Sequence, residues 1–136
     1  VLWIYPRGVA VKKPMDPHLI AGAAGVAVCL GADFVKVTYP ESKNPAIDFH
    51  EAVVAAGRTG VITSGGSTKS EKQFLQDTHD QIHISGTRGS ATGRNIHQKS
   101  LDSAVRMCNA ISSIVYGDKD VDFAFKVYKG EKVFQI

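Results

Sequence analysis

The sequence predicts an α/β fold of the (β/α)8 TIM-barrel type, with this chain forming roughly its C-terminal half, strands five to eight. Three observations lead there. Short apolar runs alternate with helical segments in the order β, α, β, α, β, α, β, α, the pattern of a parallel sheet covered by helices. Glycine-rich stretches follow the third run and surround the fourth, and barrel enzymes often bind phosphate with the loops after strands seven and eight. The 136 residues are about half of the roughly 250 that a barrel needs. An open doubly wound sheet fits the same element order; the glycine loops favour the half barrel.

Each element has its own signal. Val1 to Tyr5 is an apolar run stopped by Pro6, Arg7 and Gly8, hence a strand and a loop. Asp16 followed by Pro17 starts a helix, as an N-cap followed by proline at the first helical position. It continues through LIAGAAGVAVCLGA to about Gly31. Residues 33–38 form the second strand, and YPESKNP is a loop. Ala46 to Ala56 reads as one helix with Gly57 as its stop. Gly60 to Thr63 is the third strand, followed by SGGST and a helix from Lys69 to His83. The polar GSATG is the fourth strand, followed by RNIHQ. LDSAVRMCNAISSIVY is an amphipathic helix with its apolar stripe on Leu101, Ala104, Val105, Cys108, Ile111, Ile114 and Val115. Residues 1–116 are the expected half barrel and 117–136 a C-terminal tail, in which VDFAFKVY alternates like a strand.

Composition excludes several classes. A net charge of +3 is too small to argue for a nucleic-acid surface, though small anions such as phosphate esters fit it. No apolar run reaches the length of about 18 residues that marks a membrane helix. Cys29 and Cys108 lie far apart in helical segments and are expected to be reduced core thiols of a cytoplasmic protein. The opening VLWIYPRG begins inside an apolar run without an initiator Met. Residue 1 is therefore expected not to be the native N-terminus, and the other barrel half to precede it.

The strand ADFVKVTY carries an ammonium group at Lys36. Helices should cover the outer face of the sheet, and alternation puts Lys36 on one side with Phe34 and Thr38. An unpaired buried charge costs several kcal/mol, by order of magnitude, and burial favours the neutral amine. A neutral amine attacks carbonyls and forms a Schiff base. The protonated imine is then an electron sink that lets a neighbouring carbon–carbon bond break or form. Tyr5, at the end of the first strand, is placed for general acid/base work beside it. The bland alternatives are a lysine that snorkels to water and a rim tyrosine.

These residues together resemble the archaeal-type class I fructose-1,6-bisphosphate aldolases, a family also found in bacteria, over about residues 1–116. WIYPRG resembles the motif that carries the family's proton-transfer tyrosine, which assigns that role to Tyr5. LGADFVKVTY resembles the Schiff-base motif, which assigns the imine to Lys36. TSGGS resembles the first phosphate-binding loop, through Ser64, Gly65 and Gly66, and TGRNIHQ the second, through Gly93 and Arg94. The resemblance implies a (β/α)8 barrel, a homo-oligomer, no metal and no cofactor. It also implies reversible cleavage of fructose 1,6-bisphosphate to dihydroxyacetone phosphate and glyceraldehyde 3-phosphate, a step of glycolysis and gluconeogenesis. The family also uses an acidic residue from the first strand of the missing half. GTRGSAT, before the second loop, is more polar than the family's usual strand and one residue longer.

Three alternatives stand beside this reading. Relatives with the same lysine act on other sugars, among them deoxyribose-phosphate aldolases and aldolase-like enzymes of archaeal aromatic biosynthesis. HDQIH puts His79 and His83 four residues apart, with Asp80 where a zinc protease has Glu; a third ligand is not evident. The chain could also be a non-catalytic fragment, since half a barrel leaves two open strand edges.

Overall fold

The structure, a computed structural model, describes residues 1–135. Four strands, β1 (Leu2–Trp3), β2 (Phe34–Val37), β3 (Gly60–Ser64) and β4 (Gly89–Ala91), form one parallel sheet in the order β1-β2-β3-β4. Each strand pairs with the next in sequence, so these four contain no reversal of strand order, the mark of a doubly wound sheet. The first strand is shorter than the apolar run that encodes it. Pairing still continues past Trp3, because the Ile4 N–H donates to the Lys36 carbonyl at 3.1 Å.

The connections are helical. Helix α1 (Pro17–Cys29) starts where the sequence predicts: the Asp16 carboxylate accepts from the N–H groups of His18 and Leu19. The single helix predicted over Ala46 to Ala56 is two short ones, α2 (Pro45–Asp48) and α3 (His50–Ala55), meeting at the buried Phe49. Gly57 follows in the left-handed region, with φ +55°. Helix α4 (Glu71–His83) begins two residues later than Lys69, capped by the Ser70 hydroxyl. The short α5 (Arg94–His97) and the long α6 (Leu101–Val115) follow β4.

The tail corrects the sequence reading. VDFAFKVY is not a strand but helix α7 (Val121–Lys129). Asp120 caps it by accepting the Phe123 N–H at 2.7 Å, and Gly130 ends it in the left-handed conformation. The alternation of Val121, Phe123, Phe125 and Val127 misleads, because the buried set is Val121, Ala124 and Val127, spaced by three. That spacing packs α7 against α4 and α6 around Leu75, Met107 and Ile114. Glu71 ties the assembly together, accepting from Lys99 Nζ at 2.7 Å and from the Tyr128 hydroxyl at 3.2 Å.

The sheet is covered on one side. Val35, Val37 and Val61 pack on Ile20, Ala24, Phe49 and Ala52 of the helical layer. On the other side Trp3 is 67% exposed and Phe34 41% exposed. Both cysteines are free, but neither is a core thiol: Cys29 and Cys108 are exposed, because each faces away from the packed side of its helix. Among the described residues no helix is long and apolar enough to cross a membrane.

Candidate active site

Alternation along β2 decides what faces where. Val35 and Val37 are fully buried against the helices. Lys36 therefore points to the open face, between Phe34 and Thr38. In register, Lys36 lies beside Trp3 on β1 and Ile62 on β3, and Ile62 lies beside Gly89 on β4. The Lys36 Nζ sits 3.7 Å from the centroid of the Trp3 ring, inside the range of about 6 Å for a cation–π contact. Lys36 is half-buried rather than sealed from water, since nothing among the described residues covers this face.

Three clefts lie along the sheet. One, of about 650 Å³, is lined by Lys36, Ile62, Ser90, Gly93, Cys108 and Tyr116 among others. The second, of about 260 Å³, holds Ser64, Gly65 and Gly66, together with Thr38, Lys69 and Ser90. The third, of about 290 Å³, holds Tyr5, Arg7 and Thr38. Ser90 is shared by the first two and Thr38 by the last two, so neighbouring clefts share a wall residue. Lys36 and Gly93 line the first, Ser64, Gly65 and Gly66 the second, and Tyr5 the third. Arg94, the first residue of α5, is exposed and lines none of the three.

The electrostatics differ from residue to residue. Burial raises the Tyr5 phenol above its ordinary value, and the Arg7 guanidinium partly offsets this. Arg7 lies 5.8 Å from the Tyr5 ring centroid. Tyr5 therefore keeps its proton through neutral pH and has one to give. Tyr39, at the wall of the second cleft, is pushed up to about 12 by burial and by the nearby Asp77 and Asp80 carboxylates. Lys69 is ion-paired to Asp77 in the same wall, and Gln73 Nε2 donates to the other Asp77 oxygen at 2.8 Å.

Two residues that the sequence reading did not single out matter here. Trp3 is the surface on which the Lys36 ammonium rests. Its signal was its place in WIY, two residues before Tyr5 and hence on the same side. Asn95 is 2% exposed and joins the two glycine loops. Its Nδ2 donates to the Gly65 carbonyl at 3.0 Å and to the Ser67 carbonyl at 3.2 Å, while its Oδ1 accepts the Lys69 N–H at 3.1 Å. It follows the predicted Gly93 and Arg94 directly.

The histidine pair lies elsewhere. His79 and His83 lie with ring centroids 4.4 Å apart and their planes tilted by 43°, near the C-terminal end of α4. A helix that returns to a parallel sheet ends near the start of the next strand, away from the C-terminal strand ends. Each ring has one carboxylate beside it, Asp80 for His79 and Asp118 for His83, both at 3.4 Å. Among the described residues no group of three or more His, Cys, Asp or Glu is arranged to hold a metal ion.

Comparison with known proteins fits this geometry. Residues 1–99 match the family described as DeoC/LacD family aldolase. The chain is 60% identical over 132 residues to the fructose-bisphosphate aldolase/6-deoxy-5-ketofructose 1-phosphate synthase of Methanocaldococcus jannaschii, covering 97% of this chain and 43% of that protein. It is 34% identical over 130 residues to a 2-amino-3,7-dideoxy-D-threo-hept-6-ulosonate synthase of Archaeoglobus fulgidus, covering 96% of this chain and 45% of that protein. Among solved structures, the fructose-bisphosphate aldolase of Slackia heliotrinireducens superposes with a TM-score of 0.94 at 57% identity, over 99% of this chain and 44% of that one. An archaeal fructose-1,6-bisphosphate aldolase, solved with its catalytic lysine bound to the carbinolamine intermediate of its substrate, superposes with a TM-score of 0.74 at 35% identity, over 85% of this chain and 44% of that one. The chain thus spans less than half the length of these relatives. With the match running through both glycine loops and the strand of Lys36, this chain belongs to the DeoC/LacD aldolase family.

Proposed function

We propose that the chain is the C-terminal half, strands five to eight, of a (β/α)8 class I aldolase that cleaves fructose 1,6-bisphosphate reversibly. The observation that carries this is Lys36, on the open side of a parallel sheet, in a cleft with Gly93 that shares Ser90 with the cleft of the first glycine loop, which in turn shares Thr38 with the cleft of Tyr5. The sequential strand order and the one-sided helical cover support the half barrel.

In this reading the Lys36 amine adds to the ketose carbonyl carbon, and loss of water gives the protonated imine. A base takes the proton from the C4 hydroxyl, the C3–C4 bond breaks, and its electron pair moves into the imine to give an enamine. Glyceraldehyde 3-phosphate leaves. Tyr5 is the general acid/base that moves protons at the reacting carbons. Protonation of the enamine and hydrolysis of the imine release dihydroxyacetone phosphate and restore Lys36. Ser64, Gly65, Gly66, Gly93 and Arg94 hold phosphate by backbone N–H groups and by charge-assisted hydrogen bonds. The imine is the electron sink, so the route needs neither metal nor cofactor. The missing half supplies the acidic residue of the first strand, and the complete protein is a cytoplasmic homo-oligomer.

A second reading keeps the lysine chemistry and changes the sugar. The 34% identity to a heptulosonate synthase favours it, as does the second activity in the name of the Methanocaldococcus jannaschii relative. The test is borohydride reduction of the full-length protein with dihydroxyacetone phosphate, and mapping of the adduct by mass. Labelling at Lys36 and cleavage of fructose 1,6-bisphosphate support the first reading. Labelling without that cleavage supports the second. Absence of an adduct, with inhibition by a chelator, sinks both.

A further inference from the structure

We propose that Asn95 is the positioning residue that sets the two phosphate loops as one rigid unit, so that its loss weakens binding of phosphorylated ligands and spares the amine chemistry at Lys36. The inference rests on the reading of these loops given above. Asn95 is 2% exposed, and both ends of its amide are engaged with the first loop. The two Nδ2 donations draw the carbonyls of Gly65 and Ser67 toward Asn95. In a trans peptide group the C=O and the following N–H point in opposite directions. The N–H groups of Gly66 and Thr68 are thereby turned away from Asn95. Neither donates to another backbone group among the described residues. Gly66 lines the second cleft, so a phosphate there would meet a donor that needs no peptide to reorient.

The loops also touch directly. A Cβ on Gly65 would lie 3.0 Å from the Thr92 Cα, so the first loop rests on the residue that leads into Gly93. Two segments in van der Waals contact and linked by three hydrogen bonds move together. Asn95 is not expected to touch the ligand, because its polar atoms are already taken.

The test uses Asn95→Asp in the full-length protein. The substitution keeps shape and still accepts the Lys69 N–H, but it replaces two donations to carbonyls by repulsion. Borohydride trapping at Lys36 is compared between dihydroxyacetone phosphate and dihydroxyacetone. The concentration of the phosphate ester for half-maximal trapping should rise about tenfold or more, as for a loss of one or two hydrogen bonds. Trapping with dihydroxyacetone should stay within about twofold of wild type. Equal loss with both ketones, or no change with either, overturns the proposal. A measurement on the unmodified protein guards against a variant that fails to fold. Inorganic phosphate should slow amide hydrogen exchange in Gly65–Lys69 and Gly93–Ile96 together; protection of one segment alone, or of neither, overturns it. If the wild type forms no Lys36 adduct, the aldolase reading fails, and repeating the exchange with Asn95→Asp, where the joint protection should be lost, still decides the role of Asn95.

Discussion

Trp3 and Lys36 are register partners on adjacent parallel strands, and the Lys36 Nζ lies 3.7 Å from the Trp3 ring centroid. The ring gives the ammonium a resting place, and among the described residues no carboxylate pairs with it. At a half-exposed site such a contact is worth about 0.5–1 kcal/mol. The contact holds the charged form, and it is the neutral amine that attacks, so Trp3→Leu in the full-length protein should raise the rate of imine trapping by about two- to fivefold. Lys36→Arg should abolish it. An unchanged rate in Trp3→Leu would show that the ring does not hold the ammonium.

Tyr5 gives a sharper separation. Removing a general acid/base commonly costs a factor of about 10²–10⁴. Tyr5→Phe should lose turnover on that scale, yet still form the borohydride adduct at Lys36. Because burial raises the Tyr5 phenol, the loss of wild-type activity through its ionisation should begin only well into alkaline pH. A profile that falls near neutrality, by a group that Tyr5→Phe removes, would contradict the assignment.

Leu75 is fully buried where α4 meets α6 and α7. Leu75→Ala removes a buried side chain and leaves a cavity, so it should destabilise by about 2–5 kcal/mol. Asp120→Ala removes only the α7 cap and should cost about 1 kcal/mol. Urea unfolding of each variant checks both, and comparable losses would mean that α7 holds its place mainly through its cap.

His18 and Glu51 make an exposed pair, Nδ1 to Oε1 at 2.5 Å, and the hydrogen bond and charge of Glu51 raise the His18 pKa. A raised folded value means that the pair favours the folded state below the ordinary histidine value, near 6.5. That contribution fades as pH rises through the higher folded value. Proton NMR of the His18 ring should show a midpoint above the ordinary value. Glu51→Gln should lower it, and high salt should shrink the difference, because the pair is open to solvent. A midpoint that Glu51→Gln does not move would remove Glu51 as the cause.

The sequence made the βα order legible because turn chemistry and apolar runs are local signals. Asp16–Pro17 and SGGST each carry their meaning in a few residues. Lys36 was legible for a related reason: a charge in an apolar strand has few places to go. Three features were not legible, and each depends on a partner distant in sequence. Trp3 acquires its role only from the register that sets it beside Lys36. Asn95 acquires its role only when residues 65 and 67 fold back beside it. Helix α7 was misread because four alternating residues resemble a strand until α4 and α6 select the face with Val121, Ala124 and Val127. The exposed cysteines follow the same rule: a helix names its apolar residues but not which of them its neighbours will cover.

The strand order has a kinetic consequence. Its pairings join residues such as Trp3 and Lys36, Phe34 and Gly60, or Ile62 and Gly89. Each joins residues 26 to 33 positions apart, one strand–helix unit, and loop closure sets much of the speed of folding. A nascent chain could add one strand and its helix at a time, each new unit templated by the one just finished. Within these four strands, assembly waits only for the next strand and its helix.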